Sequence, residues 1–377
     1  MSHPTHLLIV GGGPAALEAV LAVQHLAAER VRITMLCDRD DFVYRPVAVA
    51  EPFGFAAPER FSLEAIAADR GFELRRGELE AVDHGERCVR LSDGAHVGYD
   101  VLLLALGARS EEAVPGALTF GGTRDVPGLR AALEELQTGV PLRAAFVAGP
   151  EIGWTLPLYE LALMTARWAR ARELALEPWV VTYEHRPLSV FGEEAGVAVT
   201  ELLADAGVRL WTGAFAEAFE DGKLWVSLEG GLPVELAVAL PRLTGPDVPG
   251  LPADAYGFVP VDAHGRVENM TDVYAAGDMT ARPLKQGGLA TQQADVAAAA
   301  IAAAAGADVK AEAYRPVLRA MLLTGGRPRY LRRAAHGRGA AFDESPWWPP
   351  HKIAGRELAP YLTAHPELRL GSPQPTS

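Results

Sequence analysis

The stretch that decides the fold lies near the start of the chain and reads Val10-Gly11-Gly12-Gly13-Pro14-Ala15-Ala16. It follows a short apolar run and opens a helical pattern, and its spacing Gly-x-Gly-x-x-Ala is typical of a dinucleotide-binding βαβ unit. In such a unit Gly11 permits the tight turn, Gly13 lets a pyrophosphate approach the backbone, and Ala16 allows close packing of helix on strand. The helix N-terminus supplies amide donors and the positive end of a dipole.

An acidic residue completes this pattern. The second strand is predicted over Val31 to Cys37, and Asp38 follows it directly. Asp38 lies 22 positions after Ala16 (38 minus 16), close to the spacing of about 20 at which a carboxylate binds a ribose hydroxyl. Because strand, turn, helix and acidic residue follow one another in this order, we do not interpret the glycines as a chance turn.

The order of predicted elements extends this unit into a larger α/β fold. Short alternating runs at 74–79, 87–91 and 96–99 indicate a β-rich insert, and the apolar run 101–106 indicates a strand buried on both faces. The strand–helix–strand order then returns with strands at 144–148 and 179–183, which is the rhythm of parallel sheets. We predict two Rossmann-like dinucleotide-binding units and a C-terminal α+β segment, with domains at 1–120 plus 243–310, 121–242, and 311–377.

Composition and charge exclude several classes of function. The net charge of −13 disfavours binding to nucleic acid or to an anionic membrane through a large basic surface. Cys37 and Cys88 are the two cysteines, so we expect neither a disulfide framework nor a cysteine-based metal site, and a reducing cytoplasmic setting fits. His264, His336 and His351 show no metal-ligand spacing, and no apolar stretch reaches the ~18 residues that a membrane helix needs.

Two further motifs carry a resemblance to a known family. Ala105-Leu106-Gly107 and Gly277-Asp278 each end a predicted strand, as Gly11 to Ala16 follows another. In this order the three motifs resemble the two-dinucleotide-binding-domain flavoproteins, over about residues 5 to 335. The resemblance implies non-covalently bound FAD, with the aspartate of the late Gly-Asp pair holding the ribityl chain and pyrophosphate. Leu106 stands where that family commonly has threonine.

Within that superfamily the chain resembles the branch of sulfide:quinone oxidoreductase and flavocytochrome c sulfide dehydrogenase. The resemblance is carried by segment 42–46, by loop 283–288 and by hairpin 322–330. It implies that Lys285, at a helix N-terminus, stabilises the negative charge of reduced flavin and is the candidate catalytic residue; a solvated loop lysine is the alternative. The predicted cofactor-binding residues are Gly11, Gly13, Pro14, Ala16, Asp38, Arg45, Pro46, Leu79, Ala105, Leu106, Gly107, Gly277, Asp278, Lys285, Gln286 and Gly287.

Two departures from this branch limit what the resemblance implies. The branch uses two redox cysteines beside the flavin, and this chain has no cysteine after Cys88, so classical sulfide:quinone chemistry is not expected. The second glycine turn, 148–154, places Glu151 and Trp154 where a nucleotide needs glycines. We therefore expect NADH and NADPH to be poor donors. Glu184 follows the next predicted strand, and a surface glutamate is preferred there to a ribose-binding acid.

Three functions remain open at this stage. The first is an FAD-dependent oxidoreductase that takes electrons from an unidentified small molecule and passes them to a small acceptor such as a quinone. The second is an NAD(P)H-dependent reductase, and the third is a flavin-binding protein without turnover. Trp347 and Trp348 fit either a membrane-facing or quinone-facing lip, or the preferred alternative of packing against the body or a second subunit; a homodimer is left open.

Overall fold

The computed structural model describes residues 3–136, 142–227, 230–335 and 337–371; His336 therefore lies outside the described residues. The first part of the chain contains ten strands and two α-helices. A 3-10 helix, Arg45–Phe53, lies between the third and fourth strands. The elements of this part are β1 (Thr5–Val10), α1 (Pro14–Ala27), β2 (Val31–Cys37), β3 (Asp41–Val43), β4 (Arg60–Ser62), α2 (Leu63–Arg70), β5 (Glu73–Arg76), β6 (Leu79–Asp83), β7 (Cys88–Leu91), β8 (His96–Gly98), β9 (Val101–Leu104) and β10 (Arg109–Glu111).

The middle part forms the second unit. Its elements are β11 (Leu118–Thr119), α3 (Val126–Glu135), β12 (Leu142–Ala148), α4 (Leu156–Arg170), β13 (Leu176–Thr182), α5 (Glu193–Asp205), β14 (Arg209–Thr212), β15 (Ala216–Glu220), β16 (Lys223–Val226), β17 (Gly230–Pro233), β18 (Leu236–Ala239) and β19 (Arg242–Thr244). The last part returns to the first sheet and then forms the C-terminal segment. Its elements are β20 (Val273–Ala275), α6 (Gly287–Ala304), β21 (Val317–Leu322), β22 (Arg329–Ala334), β23 (Ala340–Phe342) and α7 (Leu358–Ala364).

The first sheet has the order β20-β9-β1-β2-β5, and all of its strands run parallel. β9 and the second half of β1 are apolar because both faces of the sheet are covered there, and Leu7, Leu8 and Ile9 have no exposed surface. Alanine-rich α1 and α6 pack on one face with Tyr274 and Ile301. Pro14 begins α1, where its fixed φ suits the first helical turn.

The second sheet repeats this plan. Its order is β11-β18-β12-β13-β14, again with parallel pairing throughout. α4 packs against it through buried side chains that include Leu158, Tyr159 and Leu161. The predicted α/β class with two Rossmann-like units is confirmed. Both sheets direct the carboxyl ends of their strands toward loops that can bind ligands.

One predicted strand is wrong. The run 74–79 was expected to be one strand of the β-insert, but the chain divides it into β5, the edge of the first sheet, and the start of β6 in the insert. The break falls at Gly77 and Glu78, and Gly77 packs closely on the insert, since a Cβ there would lie 2.8 Å from Leu91 Cδ1. The alternating pattern continues across this turn, so periodicity alone hides it.

The C-terminal segment consists of a three-stranded antiparallel sheet and an arm. The sheet β21-β22-β23 contains the predicted hairpin, whose loop holds Gly325. The arm then packs back on the first unit, where the buried Glu18 carboxylate accepts hydrogen bonds from the amides of Glu357 and Leu358. Trp347 stacks edge-on against Tyr330, whereas Trp348 is 83% exposed. Trp347 thus packs on the body of the protein, whereas Trp348 does not. Among the described residues no helix is both long and apolar enough to cross a membrane.

Candidate functional site

A cavity of about 600 Å³ lies at the carboxyl ends of the first sheet. Each of four parallel strands is followed by a lining residue: Gly11 after β1, Asp38 after β2, Ala105 after β9 and Ala276 after β20. This edge of a doubly wound sheet is where such folds bind ligands. The opposite wall comes from the second unit and from the C-terminal segment.

The first glycine turn has the geometry of a phosphate cradle. Gly11 has φ +129°, and a Cβ there would lie 2.3 Å from the carbonyl oxygen of Ala105. β1 and β9 can approach so closely because that atom is missing. At Gly13 an added Cβ would meet no atom within 4 Å, so this position opens into free space in front of the α1 N-terminus. The turn therefore fits a pyrophosphate.

The late Gly-Asp pair lies beside the start of α1, since a Cβ on Gly277 would lie 3.4 Å from the Cβ of Ala15. Gly277 has φ +84°, which favours glycine, and its amide donates to Gln293 Oε1 at 3.1 Å. Burial raises the pKa of the Asp278 carboxyl, while the charges of Lys285 and Arg45 and the amide of Gln286 lower it. Asp278 is thus a carboxylate held between cations at the cavity wall, where hydroxyl groups of a ligand can hydrogen-bond to it.

Lys285 lies beside Asp278 on the loop that enters α6. Its ammonium donates to the Thr280 carbonyl and lies 3.5 Å from the centre of the Phe258 ring. Burial lowers the pKa of Lys285 to about 8, and the charges of Asp278 and Asp254 act in the opposite direction. Lys285 is therefore a half-buried cation on the cavity wall and is not a solvated loop lysine.

The structure brings most of the predicted cofactor residues together, and two lie apart from the cavity. Ala16 is fully buried inside α1, and Leu79 is partly buried in the β-insert against the core formed around Val82 and Leu91. The predicted residues that line the cavity are Gly11, Gly13, Pro14, Asp38, Arg45, Pro46, Ala105, Leu106, Gly107, Gly277, Asp278, Lys285, Gln286 and Gly287.

A buried ion pair at the cavity wall was missed by the sequence analysis. Lys352 Nζ lies 2.6 and 2.7 Å from the two carboxylate oxygens of Glu160, with side-chain exposures of 8% and 0%. The amide of Leu323 also donates to Glu160, at 2.8 Å. Burial raises the pKa of Glu160 and lowers the pKa of Lys352, and each charge opposes the shift of its partner. No sequence signal joins Glu160 to Lys352, since the two residues lie 192 positions apart.

The glycine turn of the second unit is filled by protein atoms. A Cβ on Gly153 would lie 2.3 Å from the carbonyl oxygen of Pro283, so this glycine lets the Lys285 loop pack on the turn. Trp154 lines the cavity, with its ring 5.8 Å from that of Phe191. Glu151 is exposed at the rim. Gly153 and Trp154 therefore support the first unit's cavity, whereas at Gly149, in the same turn, an added Cβ would meet no atom within 4 Å.

Glu184 is not the surface glutamate that was expected. It is 6% exposed, and its carboxylate accepts hydrogen bonds from the hydroxyls of Thr155 and Tyr159, both at 2.7 Å. The amide of Ser189 donates to its other oxygen at 3.2 Å. Buried polar groups of this kind are retained where every lone pair finds a donor. Glu184 therefore holds α4 to the end of β13.

Among the described residues, neither the cysteines nor the side chains that could bind a metal form a further site. Cys37 is buried and Cys88 is half-buried, and both are free thiols. A Cβ on Gly12 would lie 2.5 Å from Cys37 Sγ, so this thiol packs beneath the first turn. In the described part of the chain, His, Cys, Asp and Glu side chains form no group of three that could hold a metal ion.

Comparison with known proteins gives the same class of fold and chemistry. Residues 5–304 match the family model described as pyridine nucleotide-disulphide oxidoreductase. An NADH dehydrogenase-like protein of Mycobacterium tuberculosis is 28% identical over 302 residues, which cover 74% of this chain and 73% of that protein. The ferredoxin–NAD(+) reductase component of the biphenyl dioxygenase system of Paraburkholderia xenovorans is 30% identical, over 75% of this chain and 69% of that protein.

Solved structures show the likeness of the fold. The sulfide:quinone oxidoreductase of Aquifex aeolicus superposes with a TM-score of 0.83 at 18% identity, covering 96% of this chain and 91% of that one. A ferredoxin reductase of Rhodopseudomonas palustris gives 0.65 at 22% identity, covering 87% and 81%. The first superposition covers nearly the whole of this chain, whereas the family model ends at residue 304.

Proposed function

We propose, from the premise that this chain belongs to the pyridine nucleotide-disulphide oxidoreductase family and is an FAD-dependent oxidoreductase, that it delivers electrons to a quinone-type acceptor. The acceptor would lie in the part of the cavity walled by the Glu160–Lys352 pair. The donor would be a small molecule other than NADH or NADPH. The buried ion pair is the observation that carries this proposal.

The residues of the first unit fit FAD, as the open cradle at Gly13 and the close approach at Gly11 indicate. The Gly11–Ala16 turn and the α1 N-terminus would hold the pyrophosphate, Asp38 the adenosine ribose, and Asp278 the ribityl chain. Lys285 would lie at the flavin edge that becomes negative on reduction. FAD supplies the capacity to accept two electrons and pass them on, and the protein sets access and electrostatics.

The Glu160–Lys352 pair fits the proton demand of quinone reduction. A quinone takes up two electrons and two protons to become a hydroquinone, and protons must reach its two carbonyl oxygens. Burying two charges costs several kcal/mol per ion, and buried titratable groups with shifted pKa values cluster at functional sites. Lys352 can donate one of these protons to a carbonyl oxygen, and Glu160, 2.6 Å away, can relay a replacement proton taken up from solvent. The reduced flavin would supply the other proton.

The surroundings of this pair suit a flat apolar ring. Val49, Leu156, Ala320 and Met321 line the same cavity, together with Ile353 from the arm. Ligand pockets of this kind combine apolar walls with a few placed polar groups that orient the ligand. The wall therefore supports an aromatic or quinonoid acceptor better than a charged metabolite.

An NAD(P)H-dependent reductase is the rival function. The names of the two curated relatives, which refer to NADH and NAD(+), favour it. Against it stand the filled turn at Gly153, the indole of Trp154 and the carboxylate of Glu151, which would oppose a pyrophosphate. Glu184 is also engaged by hydroxyls of its own unit and is not presented to a ribose.

Two half-reactions test the proposal. Flavin reduction is followed anaerobically at the flavin absorption band with NADH, NADPH, sulfide and small thiols in turn. The reduced enzyme is then mixed with a short-chain ubiquinone in a stopped-flow instrument. In Glu160→Gln we expect reoxidation to slow by about 10²-fold or more, the scale of a lost general acid–base group, while photochemical reduction of the flavin is unchanged.

Glu184→Gln is the matched control, because Glu184 is a buried glutamate whose hydroxyl partners can still donate to an amide oxygen. It should reoxidise at the wild-type rate. A Glu160→Gln enzyme that matches wild type, or a Glu184→Gln enzyme that is equally slow, would contradict the role of the ion pair. Rapid saturable reduction by NADH would instead support the rival function.

A further inference from the structure

The C-terminal sheet carries a concentration of positive charge in an acidic protein. Residues 313–342 contain seven arginines and no lysine, aspartate or glutamate, although the chain as a whole has a net charge of −13. Two of these arginines are engaged: Arg329 pairs with Asp343, and Arg333 donates to the Val190 carbonyl at 2.7 Å. Within the described ranges the other five have no carboxylate partner, namely Arg315, Arg319, Arg327, Arg332 and Arg338.

The centre of this patch is a pair of like charges. Arg319 on β21 and Arg332 on β22 are direct cross-strand partners, so their side chains leave the same face of the sheet. Like charges directly opposite each other destabilise a sheet. Partial burial and the neighbouring charge of Arg332 lower the pKa of Arg319. An anionic group arriving from outside would relieve this repulsion.

Aromatic side chains adjoin the arginine pair. Tyr330 is two residues before Arg332 on the same face of β22, and Trp347 stacks edge-on against it with ring centres 5.4 Å apart. Trp348 follows with 83% of its surface exposed. A shallow groove here is lined by Arg327, Tyr330, Trp347 and Trp348, and also by the acids Asp343 and Glu344.

We propose that this face, defined by Arg319, Arg332 and Trp348, is the docking surface for a different protein that presents a carboxylate-rich surface. Arginine, tyrosine and tryptophan are the residues enriched at the energetic centres of protein interfaces, whereas lysine is depleted there. The planar guanidinium suits bidentate pairing with carboxylates. Asp343 and Glu344 in the groove oppose a uniformly anionic lipid surface, but they can face donors on a protein.

The place of this surface gives it a functional consequence. Met321 lines the flavin cavity and is the cross-strand partner of Tyr330, so the docking face and the cavity share one strand. A partner bound here would lie beside the cavity wall opposite the first unit. Docking of a partner on this face requires neither a quinone acceptor nor the proposed role of Glu160.

The test uses the full-length flavoprotein and fluorescein-labelled poly-L-glutamate, with poly-L-glutamine as the uncharged probe. Fluorescence anisotropy should show saturable binding of poly-L-glutamate that weakens as salt is raised, despite the net negative charge of the protein. The variant Arg319→Ser/Arg332→Ser should bind about tenfold more weakly, the sum expected for two lost ion pairs. Trp348→Ala should also weaken binding.

The control is Arg32→Ser/Arg90→Ser, which removes two exposed arginines elsewhere that already pair with carboxylates. It should bind as wild type does, and all variants should keep their flavin content and melting temperature. Absence of saturable binding, or equal loss in the control, would overturn the proposal. Tight binding to phosphatidylglycerol vesicles without binding to poly-L-glutamate would identify a membrane surface instead. Self-association that disappears in Arg319→Ser/Arg332→Ser would identify a second copy of the chain instead.

Discussion

The two βα turns of this molecule have the same position in their units and different uses. The turn after β1 and the turn after β12 each join a central parallel strand to a helix that has proline as its first or second residue. In the first turn the position of Gly13 opens into free space. In the second, Gly153 packs on the carbonyl of Pro283, and the side chain of Trp154 enters the cavity of the other unit. The first turn fits a phosphate, whereas the second packs at Gly153 against a loop of its own protein.

This difference shows that topology alone does not decide function in a doubly wound fold. Both units offer strand ends, a helix N-terminus and a glycine. Whether such a turn can bind a phosphate depends on two features. One is whether protein atoms already occupy the space beside its glycines, and the other is the size and charge of the side chains that follow them. The second turn supports the Lys285 loop, so we expect a substitution in this turn to alter the surroundings of the flavin.

The largest effect is expected for Gly11→Ala. The new Cβ would lie 2.3 Å from the Ala105 carbonyl oxygen at a φ of +129°, and neither strand can move without breaking the sheet. We expect more than about 4 kcal/mol of lost stability and no bound flavin, measured by urea unfolding and by absorbance.

Gly153→Ala meets a carbonyl at the same distance but on a loop, at Pro283. It should be destabilised clearly less than Gly11→Ala and should retain flavin. Equal losses of stability in these two variants would show that the two turns are equally constrained, contrary to the comparison.

The next effect separates binding from folding. Gly13→Ala and Gly149→Ala each add a Cβ that meets no atom within 4 Å. Both variants should therefore have the same midpoint of urea unfolding as the wild-type protein. Gly13→Ala should nevertheless bind FAD at least about tenfold more weakly, because its methyl group enters the space of the pyrophosphate. Gly149→Ala should bind FAD normally. Isothermal titration of the flavin-free proteins measures this, and equal affinities would refute the assignment of the cradle.

Sequence reasoning recovered the first unit well because its determinants are local. Gly11, Gly13, Ala16 and Asp38 act within one strand–turn–helix–strand segment, and their spacing carries the whole signal. The fold class follows from the same periodicities.

The second half of the site depends on contacts between distant segments. Glu160 meets Lys352 only when the C-terminal arm crosses the cavity, and Gly153 meets Pro283 only when the two units pack. A single sequence contains no record of such pairs. The surface interpretation of Glu184 failed for the same reason, since its donors Thr155 and Tyr159 lie on the preceding helix region. The prediction of one strand at 74–79 was wrong because the alternating pattern continues across the break between β5 and β6.

A further effect concerns the nucleotide that the second turn would have to accept. We expect no saturable reduction of the flavin by micromolar NADH or NADPH faster than about 1 per second, an ordinary enzymatic rate. The pyrophosphate would meet Glu151 and Trp154, and every 1.4 kcal/mol lost weakens binding about tenfold. Stopped-flow mixing measures this, with photochemical reduction as the control that the flavin is competent. Fast saturable reduction would show that the filled turn still admits nicotinamide.

The smallest effect should come from Lys285→Met, which probes what the second turn supports. The positive charge beside Asp278 would stabilise reduced anionic flavin, so its removal should lower the two-electron potential by roughly 20 mV, about 1 kcal/mol. Burial lowers the pKa of Lys285 to about 8 in the protein without flavin, and the anionic cofactor raises it. Lys285 is therefore charged at neutral pH and loses its proton only as the pH rises past this raised pKa, above 8. The difference in potential between wild type and variant should be full at pH 7 and should shrink above pH 8.

Lys223→Met is the matched control, because Lys223 also lies over an aromatic ring, at 5.9 Å from the ring centre of Trp225, but in the second unit. A potential that Lys223→Met changes as much as Lys285→Met, or a Lys285→Met shift that persists undiminished at high pH, would mean that the charge of Lys285 does not act on the flavin.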